Sequence, residues 1–460
     1  MNWVALRRGN FPLTRNLHNS AISFAKANVK KKPLGGKTKA KQGFKTKNAS
    51  DSKVKKSGTT HLVFKDAVRR LGYEKYAPVF TANELAHKDL DTRVGEIVKY
   101  KRSTESKLRL LGSFKKYQHH ELFRNPVSLI SENLIQINNR FVEKFDDGSA
   151  NNRTILMGDY KVGKSTLISQ TQSLVDDKYN GEVVLLHFDY PERTKEGTSD
   201  YLFNKRREIY QQPMFTKRWI MKTRQANKDI FSKMLLSKDV TFVTRKVEFK
   251  YEAGKNTLYE YLKNCHDFGK TESNNAFEFF ISELKHHSAT YPVLLSIDNF
   301  NALTTSPFTK YKHPDFKPIH FKEFEVGKFF LDYASGSENF TKGGVLLGES
   351  CDSGKHDNLS IALGLTAYDP YRASSLDTNL IERLMSNGGI SVFDVQQLPK
   401  SQIRSLCEFY HENGVLFMRD YIYKDDDREV DLSLEQIADL NYTKSGGNPG
   451  LLLKHVTMSF

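Results

Sequence analysis

Gly158-Asp159-Tyr160-Lys161-Val162-Gly163-Lys164-Ser165, followed by Thr166, has the spacing G-x-x-x-x-G-K-[ST]. Such a segment works between a buried strand and a helix, because its backbone must curl and turn its amides toward a ligand. The flanks suit this. Thr154-Ile155-Leu156-Met157 is a short apolar run, and Thr166-Leu167-Ile168 can continue as a helix. Gly158 and Gly163 permit the curl that aims successive N–H groups, from Gly158 to Thr166, at β- and γ-phosphates. Lys164 would neutralise phosphate charge, and the Ser165 hydroxyl would ligate Mg²⁺. The spacing predicts nucleoside triphosphate binding.

Pro292-Val293-Leu294-Leu295-Ser296-Ile297-Asp298 fits the second half of such a site. An apolar strand ending in aspartate delivers a carboxylate to the carboxyl edge of a sheet, beside Mg²⁺. Glu182–Phe188, Gly343–Gly348 and Ile390–Phe393 read as further strands. Strands alternating with helices predict a parallel sheet covered on both faces, an α/β P-loop NTPase fold of the AAA/STAND-like kind. Glu349 and Ser350 either sense a γ-phosphate or simply end a strand. Asn299 stands where many hydrolysing ATPases carry a glutamate. An amide holds water but cannot take its proton, so slow or absent turnover is expected unless Glu349 substitutes. No [NT]-K-x-D guanine reader occurs, since Asn227-Lys228-Asp229 has the wrong spacing.

The net charge of +16 is unevenly placed. Residues 1–60 hold 15 of the 70 basic side chains and one acid, Asp51, so the body is nearly neutral. Residues 1–24 carry Arg7, Arg8 and Arg15 among Trp3, Leu6, Phe11, Leu13 and Leu17, without an acid. That composition is a mitochondrial transit peptide's, against a basic cytosolic tail as the alternative. Arg15, Leu17, Ser20 and Phe24 resemble a two-step matrix-processing site with the mature start near Ala25. Residues 25–60 form a lysine-rich arm too apolar-poor to order itself, either a solvated linker or a segment that contacts RNA phosphates. An N-terminal extension is expected over 61–125 and a nucleotide domain over 126–398, opening with a helix from Pro126 to Phe145. Within it, 200–290 read as a helical insert, and 399–460 as a small helical C-terminal subdomain. Cys265, Cys351 and Cys407 make neither a metal spacing nor a disulfide framework. No apolar run approaches the length of a membrane span, so no membrane partner is expected.

Three segments together resemble the death-associated protein 3 family, P-loop proteins of the mitochondrial ribosomal small subunit. They are the Gly158–Thr166 loop, the run Leu295-Ser296-Ile297-Asp298-Asn299-Phe300-Asn301-Ala302-Leu303, and Gly446-Gly447-Asn448-Pro449-Gly450-Leu451-Leu452. The resemblance covers about residues 120–460, and the size and matrix address resemble a fungal-type member. It implies a structural ribosomal protein of the matrix, touching small-subunit rRNA and ribosomal proteins and facing the large subunit. It also implies GTP or GDP as ligand, with ATP possible. Carried over, Gly158, Gly163, Lys164, Ser165 and Thr166 would hold phosphates, and Asp298 the Mg²⁺. The competing reading is an active matrix ATPase, to which Arg372 or Arg383 would supply a γ-phosphate arginine.

Overall fold

The computed structural model describes residues 82–115, 118, 122–123, 125–243, 248–264, 276–351, 357–371, 376–416, 418–425 and 428–457. The expected transit segment and lysine-rich arm lie outside these residues, as do Arg372 and Cys265. All of the described residues belong to one unit, Lys56–Phe460.

Five strands form a fully parallel sheet: β1 (Arg153–Met157), β2 (Val184–Phe188), β3 (Val293–Ile297), β4 (Gly343–Gly348) and β5 (Ser391–Asp394). Their spatial order is β5-β1-β4-β3-β2. The central strands read as unbroken apolar runs because both faces are buried. Side chains alternate between two cores, as the two-residue period of a strand requires. Leu156, Leu185, Leu294 and Leu346 point to one face. Helix α2 (Lys164–Lys178) covers that side, together with Glu132–Ile137 and the π-helical turn Asn138–Val142. Ile155, Leu186, Leu295 and Leu347 point to the other face, covered by α3 (Pro213–Ala226), α4 (Ala276–His287) and α5 (Glu325–Ala334). There Phe188 stacks on Trp219 with centroids 4.3 Å apart and meets Phe330 edge-on at 4.5 Å.

The peripheral elements depart from the sequence reading where strands are very short. Pro126 does not open a helix: Val127–Leu129 pairs antiparallel with Ile97–Lys99, and the helix begins only at Glu132. Its start is set by Ser131, whose side chain accepts the Leu134 N–H. Apolar residues at 127, 129 and 130 fit both periods, which is why pattern alone misplaced the boundary. The segment 200–290 carries helices but also two hairpins, Leu202–Asn204 with Ile209–Gln211 and Val240–Val243 with Glu248–Tyr251. The C-terminal part packs α6 (Lys400–Glu412), α7 (Leu434–Ser445) and α8 (Pro449–Thr457) around Ile403, Tyr410, Ile437 and Leu452, with Val127 and Leu129 in the same cluster. A hairpin, Ile422–Asp425 with Arg428–Asp431, adds strand to what reads as purely helical. Among the described residues no helix is long and apolar enough to cross a membrane.

Helix α1 (Arg102–Leu111) lies against α2, where Lys107 pairs with Asp176 at 2.7 Å and Thr104 donates to the same carboxylate. Ser169 of α2 donates to the Ser113 carbonyl at 2.9 Å, fixing the chain that leaves α1.

A polar knot ties β2, β3 and α2 under the sheet's carboxyl edge. Ser296 Oγ accepts from Gln172 Nε2 at 2.7 Å, donates to the Leu186 carbonyl at 3.0 Å and lies 3.0 Å from His187 Nδ1. Burial, reinforced by Lys115 and Lys222 and opposed by Asp189 and Asp298, pushes the His187 pKa down from 6.5 to about 4. The folded state then binds fewer protons than the unfolded chain, so this contribution is complete above pH 6.5 and is lost as pH falls toward about 4. The loss amounts to about 3 kcal/mol. His187→Gln is expected to remove that part of the acid slope in pH-dependent urea unfolding. An unchanged slope would refute the assignment.

Candidate functional site

The chain turns sharply where β1 ends. Gly158 has φ 135°, Lys161 φ 63° and Gly163 φ 112°, three positive values within six residues. A Cβ on Gly158 would sit 2.8 Å from the Val395 carbonyl beyond β5, so only glycine lets the loop leave the sheet here. The loop then enters α2 at Lys164.

Tyr160 through Thr166 line a cavity of about 770 Å³. Its lining also includes Lys115, Tyr190, Asn299, Glu349 and Ser350, with Pro449, Gly450 and Leu453. Gly158 and Asp159 open the loop without lining the cavity, and Asp159 accepts from Gln397 Nε2 at 3.1 Å. The Lys164 ammonium donates to the carbonyls of Gly158 (2.6 Å) and Asp159 (2.8 Å), and lies 3.4 Å from Cys351 Sγ. Its partners are neutral, which leaves its charge available to an anion. Together with the first amides of α2 it makes a cradle whose chemistry fits phosphate.

Asp298 lies one layer deeper, 1 % exposed. Its Oδ1 accepts the Asn299 N–H at 3.0 Å, and its Oδ2 is 3.1 Å from Lys115 Nζ. Lys115 also donates to the Asp189 carbonyl and sits 4.2 Å from the centre of the Tyr190 ring. The carboxylate expected to hold Mg²⁺ is thus engaged by a protein ammonium. The fit to phosphate is good; the fit of Asp298 to a metal is not.

The residues after Asp298 have structural work. Asn301 Oδ1 accepts the Ser350 N–H at 2.9 Å, and its Nδ2 donates to the Ser350 carbonyl. This pins the end of β4 to the end of β3 and sets Glu349 and Ser350 at the cavity wall. Burial pushes the Glu349 carboxyl above its ordinary value, against the pull of the Lys164 ammonium. Asn299 Nδ2 reaches Glu192 Oε1 at 3.5 Å. Burial also raises the Glu192 carboxyl. Arg383 pairs with Asp332 on α5 and does not line the cavity.

The last helix grips the loop from outside. Asn448 Nδ2 donates to the Tyr160 carbonyl at 2.7 Å, and the Gly450 N–H donates to the Lys161 carbonyl at 3.2 Å. Asn448 Oδ1 meanwhile accepts the N–H groups of Gly450 and Leu451, both at 3.1 Å, capping α8 ahead of Pro449. Any Cβ on Gly450 would lie 2.5 Å from Lys161 Cβ. Two functional features thus escaped the sequence reading: Lys115, an unremarked lysine in a polar stretch, and this clasp, whose partners are 288 residues apart.

Fold and site define an α/β protein with a glycine-bounded loop, braced by its own C-terminal helix, at the carboxyl edge of a parallel sheet. The family model of mitochondrial ribosomal death-associated protein 3 matches residues 128–455, and the chain belongs to that family of mitochondrial proteins. It is similar to the small ribosomal subunit protein mS29 of Neurospora crassa, 21% identical over 353 residues that cover 73% of this chain and 71% of the relative. The matched stretch contains the loop, the Asp298 run and the clasp; Lys115 precedes it.

Gly450→Ala is expected to force α8 off the loop and to cost about 1–3 kcal/mol in urea unfolding, the usual range for overpacking. Wild-type stability in this variant would show that the clasp carries no strain-sensitive contact.

Proposed function

We propose that this chain is a structural component of the mitochondrial ribosomal small subunit, working in the matrix in support of translation. Its core is read as a P-loop NTPase of AAA/STAND-like kind that keeps a purine nucleoside triphosphate as a resident ligand. GTP or GDP is the nucleotide that family membership favours, and ATP has the same phosphates to offer. The observation that carries the reading is the clasp: a phosphate-fitting loop held between the sheet and the last helix is a structural junction. Phosphates bound there would supply negative charge to Lys164 and the N-terminus of α2. Gly158, Asp159, Tyr160, Lys161, Val162, Gly163, Ser165 and Thr166 would shape that cradle. A ligand that binds only the folded form stabilises it by RT ln(1 + L/Kd), where L is the free ligand concentration. The lysine-rich arm over 25–60 is assigned to rRNA, where each phosphate contact gains by counterion release. The nearly neutral body is assigned to ribosomal proteins and to a contact facing the large subunit. Turnover is expected to be slow, since Asn299 cannot accept a proton from water.

Sedimentation of mitochondrial lysate tests the placement, with co-migration with the small subunit expected and a separate soluble peak opposing it. Lys164→Ala is expected to abolish nucleotide occupancy and to lower incorporation into the subunit several-fold. Normal incorporation without nucleotide would overturn the structural-ligand reading.

A further inference from the structure

Nothing in the local sequence marks Lys115, yet it reaches the centre of the site. α1 is tied to α2 through Lys107–Asp176, and Ser169 holds the Ser113 carbonyl, so the lysine two residues later is delivered to the cavity at a set height. Its ammonium has three kinds of partner at once: the Asp298 carboxylate at 3.1 Å, the Asp189 carbonyl and the Tyr190 ring. The side chains of Lys115 and Asp298 are 14% and 2% exposed. A carboxylate so deeply placed needs a counter-charge, and this one has it from the protein itself.

We propose that Lys115 is the built-in cation of this site, standing on Asp298 where a magnesium ion would be held, so that polyphosphate is bound by Lys164 and Lys115 without an obligatory divalent metal. The inference rests on the nucleotide reading above and goes beyond it by naming what neutralises the site.

Three geometric facts carry the proposal. Asp298 Oδ2 is committed to the ammonium, and Oδ1 to the Asn299 N–H. Mg²⁺ demands near-octahedral oxygen ligands at about 2.0–2.1 Å, and on Asp298 it would stand against an ammonium that repels it. Displacing Lys115 would strip a mostly buried ammonium of its acid partner and move it from the ring that packs against it. Lys115 also lines the cavity that Lys164 lines, so both charges are presented to the same space. A lysine supplies charge but not the fixed template with which a metal bridges two phosphates and eases their separation. Such a site retains its ligand.

The test is equilibrium binding of fluorescent GTP and ATP analogues to the full-length chain, in magnesium and in EDTA. Wild-type protein is expected to bind with affinities that differ by less than about threefold between the two buffers. Lys115→Met keeps the apolar stem and frees Asp298. It is expected to bind at least about tenfold more weakly in EDTA and to recover with magnesium. A wild-type protein that loses tenfold or more in EDTA overturns the Lys115 assignment and leaves the nucleotide reading standing. Equal binding by Lys115→Met in both buffers overturns it as well. Absence of binding by the wild type in either buffer removes the nucleotide reading itself, and this inference with it. Should Lys115→Met fail to fold, the wild-type comparison alone decides.

Discussion

The insertion of β4 between β1 and β3 is the constraint on which the site depends. Its ladder continues beyond the regular strands: the Glu349 N–H donates to the Leu156 carbonyl at 3.0 Å, and the Phe300 N–H donates to the Gly348 carbonyl at 2.8 Å. Those two bonds set the ends of three strands at one level. The loop after β1, Asn299 after β3 and the glutamate after β4 therefore line one cavity, although Lys164, Asn299 and Glu349 are far apart in the chain. A strand fully buried on both faces has no freedom to slip, since a one-residue shift would turn every side chain into the wrong core.

A second layer of constraint comes from the C-terminus. Asn448 serves two masters, satisfying the first amides of α8 and the carbonyl of Tyr160. Buried polar groups of this kind are expensive to leave unpaired, so helix and loop gain from forming together. The C-terminal helices are in turn joined to the body by Val127 and Leu129, which sit in their cluster. Loop order is thereby coupled to the packing of a region far along the chain. That coupling is what the proposed resident ligand would exploit.

Electrostatically the site is organised by two ammonium groups, those of Lys164 and Lys115. Lys164 bonds to neutral carbonyls of its own loop, whereas Lys115 is bound to acid, carbonyl and ring. Glu192, on a 3₁₀ turn (Pro191–Thr194), and Glu349, after β4, are both raised by burial.

Local chemistry made the core legible. The glycines, lysine and serine of 158–165, the apolar runs of β1 to β5 and the Gly-Asn-Pro-Gly turn could all be read directly, because period, turn chemistry and capping are short-range properties. The three- and four-residue strands of the hairpins could not, since so few residues do not establish a period, and pairing partners rather than propensity decided them. Lys115 and the double duty of Asn448 were invisible for a deeper reason. A lysine in a polar stretch and an asparagine before a proline have dozens of ordinary roles. Only the tertiary structure, by carrying α1 against α2 and α8 against the loop, decided which carboxylate and which carbonyl each would meet.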